Sequence, residues 1–268
     1  MPNQFEIPIV VNSGSDAGAS EINEQGSQFT IRLNDPILMP NDLINCTVQV
    51  DEATIWWTIP NISVENSNNK FYYTYLTVDY NITLPNGLYS ISDLNNTIER
   101  LVEEQTNVSG LFTFGPDNAT QKTIITANVA GAVIDFTQAD TIREIIGFNS
   151  QLLPAAGVSV EDEFFLADET SNFNSIQYFL IHSDIVDQGI RTNNTYTQTI
   201  SQVLIDVKPG SQIVSREFNP PKSNALNLNG RKIDRIKFWL TDQDNNLVDT
   251  NGEVFGCRLV IKYTRKDM

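Results

Sequence analysis

The chain is poor in the residues from which most active sites are built. Its 268 residues include one histidine, His182, and two cysteines, Cys46 and Cys257. A single histidine leaves no ligand set for a cupin-type metal site. It follows a strand pattern, Ile176–Ile181, and reads as a satisfied or strand-end histidine rather than a general base. Two cysteines are too few for a disulfide scaffold. Both fall on the apolar parity of alternating segments, so they read as small core hydrophobes in a protein that folds under reducing conditions. There is no G-x-S-x-G elbow, H-E-x-x-H, C-x-x-C or P-loop. Glu161-Asp162-Glu163 reads as a solvated loop, because a glycosidase pair needs two carboxylates about 5–10 Å apart across a cleft. The expectation is therefore a non-enzymatic protein with no catalytic residues, no cofactor, no bound metal and no small-molecule substrate.

Positive charge is also scarce. Lys and Arg together number 17 against 33 Asp and Glu, a formal net charge of −16, which argues against direct nucleic-acid binding. The charge is segregated along the chain. Through Val207 there are 6 basic and 26 acidic residues, a net of −20; from Lys208 onward there are 11 and 7, a net of +4. Such asymmetry marks either a complementary subunit contact or regions that mix on folding. Long apolar runs are missing, so no segment has the 18 or more apolar residues of a membrane span. Met1–Val10 has neither the basic start nor the apolar run of a signal peptide.

What is abundant is asparagine, with 29 residues, which suits short strands joined by many turns. It also makes N-x-S/T triplets common by chance, beginning at Asn45, Asn61, Asn81, Asn95, Asn107, Asn118 and Asn193. After a stretch without any Lys or Arg, Met1–Gln28, expected to be an extended arm, strand signals recur at short intervals. They cover Phe29–Leu33, Ile44–Ile59, Phe71–Leu84, Leu111–Phe114 and Thr123–Ala127, the last two read as a hairpin turning at Gly115–Asn118. More follow at Phe164–Ala167, Ile176–Ile181, Thr199–Val207, Gln212–Phe218, Ile236–Leu240 and Phe255–Thr264. One amphipathic helix begins near Ser92 with Leu94, Ile98, Leu101 and Val102 on one face, and a short turn capped by Asp140 ends at Gly147. The pattern predicts an all-β, single jelly-roll β-sandwich with one amphipathic helix and a short helical turn in its loops. The expected layout is the arm at 1–28 and one domain over 29–268, elaborated within 149–229.

Two local features bear on function. Trp56 and Trp57 are adjacent, so along a strand they point to opposite faces; one suits the core and the other a partner surface. Asp242, Asp244, Asn246 and Glu253 match positions 1, 3, 5 and 12 of a calcium loop. Leu247 stands where that loop needs glycine, and strands flank it in place of helices, so it reads as a polar hairpin loop.

Several segments, in this order, resemble penton proteins of virophages and Polinton-like viruses. They are Phe29–Leu38, Trp57–Ile62, Ile82–Asn95, Thr141–Phe148 and the strand, loop and strand from Ile233 to Tyr263. The resemblance implies an upright jelly roll whose five copies form a homopentamer at each icosahedral vertex of a virion, amid double-jelly-roll major capsid proteins. Five-fold closure joins two different faces of each subunit. The basic stretch Arg231, Lys232, Arg235 and Lys237 would then face acidic surface on a neighbour, around Glu161–Glu169, with Trp56 and Trp57 as further interface candidates. A minor or cement capsid protein, and a receptor- or glycan-binding jelly-roll module, stay open as alternatives.

Overall fold

The computed structural model describes residues 4–155, 157–174, 176–192 and 195–266. The chain forms two compact units, one of Met1–Ile59 with Ile176–Met268 and one of Pro60–Ser175. The first unit opens with β1 (Gln4–Asn12), β2 (Gln28–Leu38) and β3 (Leu43–Trp56). The second supplies β4 (Lys70–Tyr75), β5 (Val78–Thr83), α1 (Ile91–Thr106), β6 (Phe112–Asp117), β7 (Lys122–Ala127), β8 (Ala132–Asp135), α2 (Arg143–Ile146), β9 (Leu152–Leu153) and β10 (Glu163–Leu166). The first unit is completed by β11 (Tyr178–Ser183), β12 (Thr199–Leu204), β13 (Gln212–Arg216), β14 (Lys232–Thr241) and β15 (Gly256–Arg265).

The eight main strands of the first unit pair as one long antiparallel hairpin. The first pairs with the last (β1 with β15), the second with the seventh (β2 with β14), the third with the sixth (β3 with β13) and the fourth with the fifth (β11 with β12). Rolling that ribbon adds two further ladders, β3 with β15 and β11 with β14. The results are two sheets, ordered β1-β15-β3-β13 and β12-β11-β14-β2. This is the jelly-roll topology, as the strand pattern predicts.

Alternation drives the packing. In β15, Cys257, Leu259 and Ile261 are buried on one parity; on the other Arg258 and Lys262 are half-buried, while Val260 is buried as well. Phe29 stacks on Phe238 at 5.4 Å and meets Phe255 edge-on at 5.2 Å. Burial pushes the thiols of Cys46 and Cys257 up to about 11 and about 12, so both stay protonated core groups.

His182 is also consumed by packing. It is 3% exposed, stacked on Trp239 at 5.3 Å, and bonded through Nε2 to Thr241 Oγ1 (2.8 Å) and through Nδ1 to Thr199 Oγ1 (3.1 Å). Burial pushes its pKa down to about 4.

The second unit builds its own core. Its sheets are β9-β8-β4-β5 and β10-β7-β6, and α1 packs on β6. Phe71 is fully buried and meets the rings of Tyr73, Phe112, Phe114 and Phe136 within 6.2 Å. Asn61 is 6% exposed and closes the unit by three hydrogen bonds. Its Nδ2 donates to the carbonyls of Tyr89 (2.8 Å) and Phe173 (2.9 Å), and its Oδ1 accepts from the Tyr89 N–H (2.8 Å). The triplet beginning there is therefore occupied by structure; the one at Asn193 lies outside the described residues.

Several expectations are corrected. The stretch expected as an arm contains β1, which pairs along its whole length with β15, from Gln4 opposite Thr264 to Asn12 opposite Gly256. Pro8 is compatible with it because β1 is an edge strand, paired on one side only. Residues 29–268 divide between two compact units, and Pro60–Ser175, which takes in the first part of 149–229, forms the second by itself. Period-two alternation looks the same in either sheet system, so it does not reveal which strands share a core. Helix α1 is capped by Ser90, not Ser92: Ser90 Oγ accepts from the Asp93 N–H and Asp93 accepts from the Ser90 N–H, a capping box. The β6–β7 hairpin turns later than expected, after Asp117, whose carboxylate accepts from Ala119 N–H and Thr120 Oγ1. Asp140 makes no side-chain cap to α2, although Gly147 does end it in the left-handed region (φ 81), where a Cβ would collide with the Glu169 carbonyl.

Asn61→Ala leaves two buried backbone groups and one part-buried group of the second unit without their side-chain partner, and the expected cost is about 2–4 kcal/mol in equilibrium denaturation of the full chain. An unchanged midpoint would show that water replaces the amide. His182 gives a pH signature. Between pH 6.5 and about 4 the unfolded chain takes up a proton that the folded chain refuses, so stability falls as pH falls through that window. The full effect is about 3 kcal/mol. As this is the only histidine, denaturation of His182→Gln should be nearly flat from pH 6.5 to pH 5 where the wild type weakens.

Candidate functional site

The four basic candidates lie on or beside one strand. In β14, Ile233, Ile236, Phe238 and Leu240 are buried, while Lys232 and Arg235 are exposed and Lys237 and Trp239 half-buried. Arg231 immediately precedes the strand and is exposed, with its backbone tied to Leu228 and Met39. The inward spacing of three between Ile233 and Ile236 departs from strict alternation. The register shifts there: Ile233 pairs with Ile37 and Arg235 with Arg32, so Leu33–Pro36 of β2 bulge from the ladder with β14. Pro36 lacks the N–H that a regular ladder would use. Bulges re-aim side chains, and here a groove lined by Arg32, Leu33, Asp234 and Arg235 marks the place.

The register sets Arg235 directly opposite Arg32, a like-charge pair that disfavours the sheet slightly. Glu21 partly relieves it. Its carboxylate accepts from Thr30 Oγ1 at 2.9 Å and lies 3.6 Å from Arg32. The Thr30 hydrogen bond, with the charges of Arg32 and Arg235 behind it, holds Glu21 below the usual carboxylate range. One acid thus serves two cations.

Elsewhere in this unit four further cations are partnered, while Lys208, Lys222 and Lys266 are in no ion pair among the described residues. Arg216 reaches Glu52 (3.4 Å), Arg258 reaches Asp51 and Glu52 (3.6 and 3.7 Å), Lys262 reaches Glu6 (3.0 Å) and Arg265 reaches Asp42 (2.9 Å). By contrast, Arg231, Lys232, Arg235 and Lys237 form no ion pair among the described residues. Lys237 Nζ sits 6.0 Å over the Trp239 ring, at the outer limit of a cation–π contact. The nearby Asp184 spends its carboxylate on the Lys237 backbone N–H (2.8 Å).

The tryptophans do not join this face. Trp57 is 4% exposed and packs edge-on against Phe179 at 5.9 Å, so it is core and unavailable to a partner. Trp56 is half-buried in β3, part of the other sheet. The loop with calcium-like spacing is organised by its own acid. Asp242 accepts from the N–H groups of Asp244 (2.8 Å) and Asn246 (2.9 Å) and from Asn246 Nδ2 (3.1 Å). Among the described residues no group of three or more His, Cys, Asp or Glu is placed to hold a metal. Sequence reasoning also passed over an exposed apolar pair, Phe164 (69%) and Leu166 (45%). The signal was present in the alternation of Phe164–Ala167 beside Glu161–Glu163, and it was read as solvated loop and ordinary strand.

No family model matches the sequence, and no curated protein is detectably related to it. Among solved structures, the chain is similar to the mavirus penton protein in a crystal of its selenomethionine-labelled form. That likeness has a TM-score of 0.48 and 13% identity, covering 97% of this chain and 100% of that one. It is also similar to a chain of the Sputnik virophage structure from cryo-EM at 3.5 Å, with a TM-score of 0.41 and 16% identity, covering 97% of this chain and 98% of that one.

Proposed function

We propose that the chain is a structural viral capsid protein: the penton, forming a homopentamer at the icosahedral vertices of a virion and contacting double-jelly-roll major capsid proteins. The observation that carries this reading is the row of four cations, unpaired among the described residues, on the outward side of a jelly-roll strand, in a chain whose net charge is −16. Five other cations of the same unit sit in ion pairs, and Lys208, Lys222 and Lys266 do not; what sets these four apart is that they are clustered along one strand. A row left open on a rigid strand suits an acidic partner surface, and a ring of identical chains supplies one at every step. The resemblance of Phe29–Leu38, Trp57–Ile62, Ile82–Asn95, Thr141–Phe148 and Ile233–Tyr263 to virophage pentons supports the same reading.

Light scattering after size exclusion should show a species near five times the 30.0 kDa chain mass. Arg231→Glu with Lys232→Glu should raise the concentration at which the ring half-dissociates by about tenfold or more at low salt, and by less at about 1 M salt, where charges a few ångströms apart are screened. A monomer at every concentration would sink the homopentamer, and assembly indifferent to the double substitution would remove the basic strand from it.

A further inference from the structure

We infer that β10 of the second unit is a docking strand, and that its occupant is the basic face of β14 in a second copy of this chain. The inference rests on the homo-oligomer reading and names its contact. Strand β10 pairs on one edge only, with β7, setting Phe164 opposite Thr126 and Leu166 opposite Ile124; no described strand covers its other edge. Alternation turns Phe165 toward the unit's core, where it packs against the buried cluster, and Ala167 is 2% exposed. Phe164 and Leu166 are left outward at 69% and 45% exposure, and Val160 nearby is 64% exposed.

The border of this apolar strip is acidic. Glu161 and Asp162 are exposed at one end and Asp168 and Glu169 at the other. Glu161 and Asp162 make no ion pair and no side-chain hydrogen bond among the described residues. Asp168 is already used, accepting from the Asn149 N–H (2.9 Å) and Gln151 Nε2 (2.8 Å). Acid at the ends of an edge strand blunts indiscriminate strand pairing, but it does not explain two large apolar side chains presented side by side on the face.

The complement exists on the same molecule. On the β14 face, exposed cations flank Leu38, which is 75% exposed and directly opposite Lys232 in the β2–β14 ladder. One surface is apolar with free carboxylates, and the other is apolar with free cations. They lie in different units of one chain, so their meeting is a heterologous contact, the kind a closed ring repeats.

The test uses the full chain, with mass by light scattering at about 50 mM and about 500 mM salt. Three substitution sets are compared: Glu161→Lys with Asp162→Lys, Arg231→Glu with Lys232→Glu, and both together in one chain. Each set alone should raise the half-dissociation concentration about tenfold or more at the lower salt. The combined chain should return to within about threefold of wild type, because like faces unlike again. Phe164→Ser should weaken assembly by a similar factor with little salt dependence, with the melting temperature of the dissociated chain unchanged because the ring is exposed there. An oligomeric wild type indifferent to Glu161→Lys/Asp162→Lys, or no recovery in the combined chain, overturns this contact and leaves the homopentamer standing. A monomeric wild type removes the homopentamer and this contact together.

Discussion

The whole jelly roll depends on one long-range ladder, the pairing of Leu43–Trp56 with Gly256–Arg265. The four ribbon pairings make a hairpin; this ladder, with that of β11 and β14, rolls it so that its apolar sides face each other. Its two strands are some 200 residues apart in sequence, so its entropic cost falls early and its reward late. The register is irregular after Arg258 and again after Thr264, and such bulges add the local twist and bend that a rolled sheet needs. The inward residues on each side of it, Cys46, Val48, Val50, Leu259 and Ile261, are all at or below 3% exposure. That burial is the compensating gain.

Such a closure tolerates a large insertion only if the insertion behaves as a short connection. Asn61 provides for that within the second unit. Through one side chain it holds Phe173, near the end of the segment, against Tyr89 and its own position near the start. With the ends held together and a separate core centred on Phe71, Pro60–Ser175 satisfies its own burial. Loop-closure cost grows only logarithmically with length, and a folded insert with adjacent ends escapes most even of that.

How much was legible in the sequence follows from what each signal encodes. Alternation at Ile236–Leu240 and Phe255–Tyr263 located strands because one face of each is buried. Ser90 and Asp93 held the capping box, but Ser92 also looked like a cap, since the preference is for a residue type and the geometry selects the position. The membership of β1 in a sheet, the boundary at Pro60 and the burial of Trp57 were not legible. Each depends on which strand lies next to which, and period-two patterns are silent on that. Among the basic candidates, sequence found the charge asymmetry. It did not find that Arg235 faces Arg32, which follows from the bulge at Leu33–Pro36, although Asp35-Pro36 within an otherwise regular strand was the available sign.

The distribution of partnered and unpartnered charge separates folding from assembly. An exposed ion pair contributes about 0–1 kcal/mol, so leaving four cations open on β14 costs the isolated chain little. Their effect appears only when a second surface removes water from them, and then it is felt as orientation and salt dependence more than as affinity. Affinity has to come from apolar area, and near the acidic border the outward face of Phe164 and Leu166 offers it. In the proposed contact, charge selects which faces meet and apolar burial sets how firmly they hold. Because the two faces belong to different units of one chain, each contact leaves one of each unused, so the assembly must either close on itself or grow without limit. The proposed vertex ring, with a fixed number of copies, would be the closed solution.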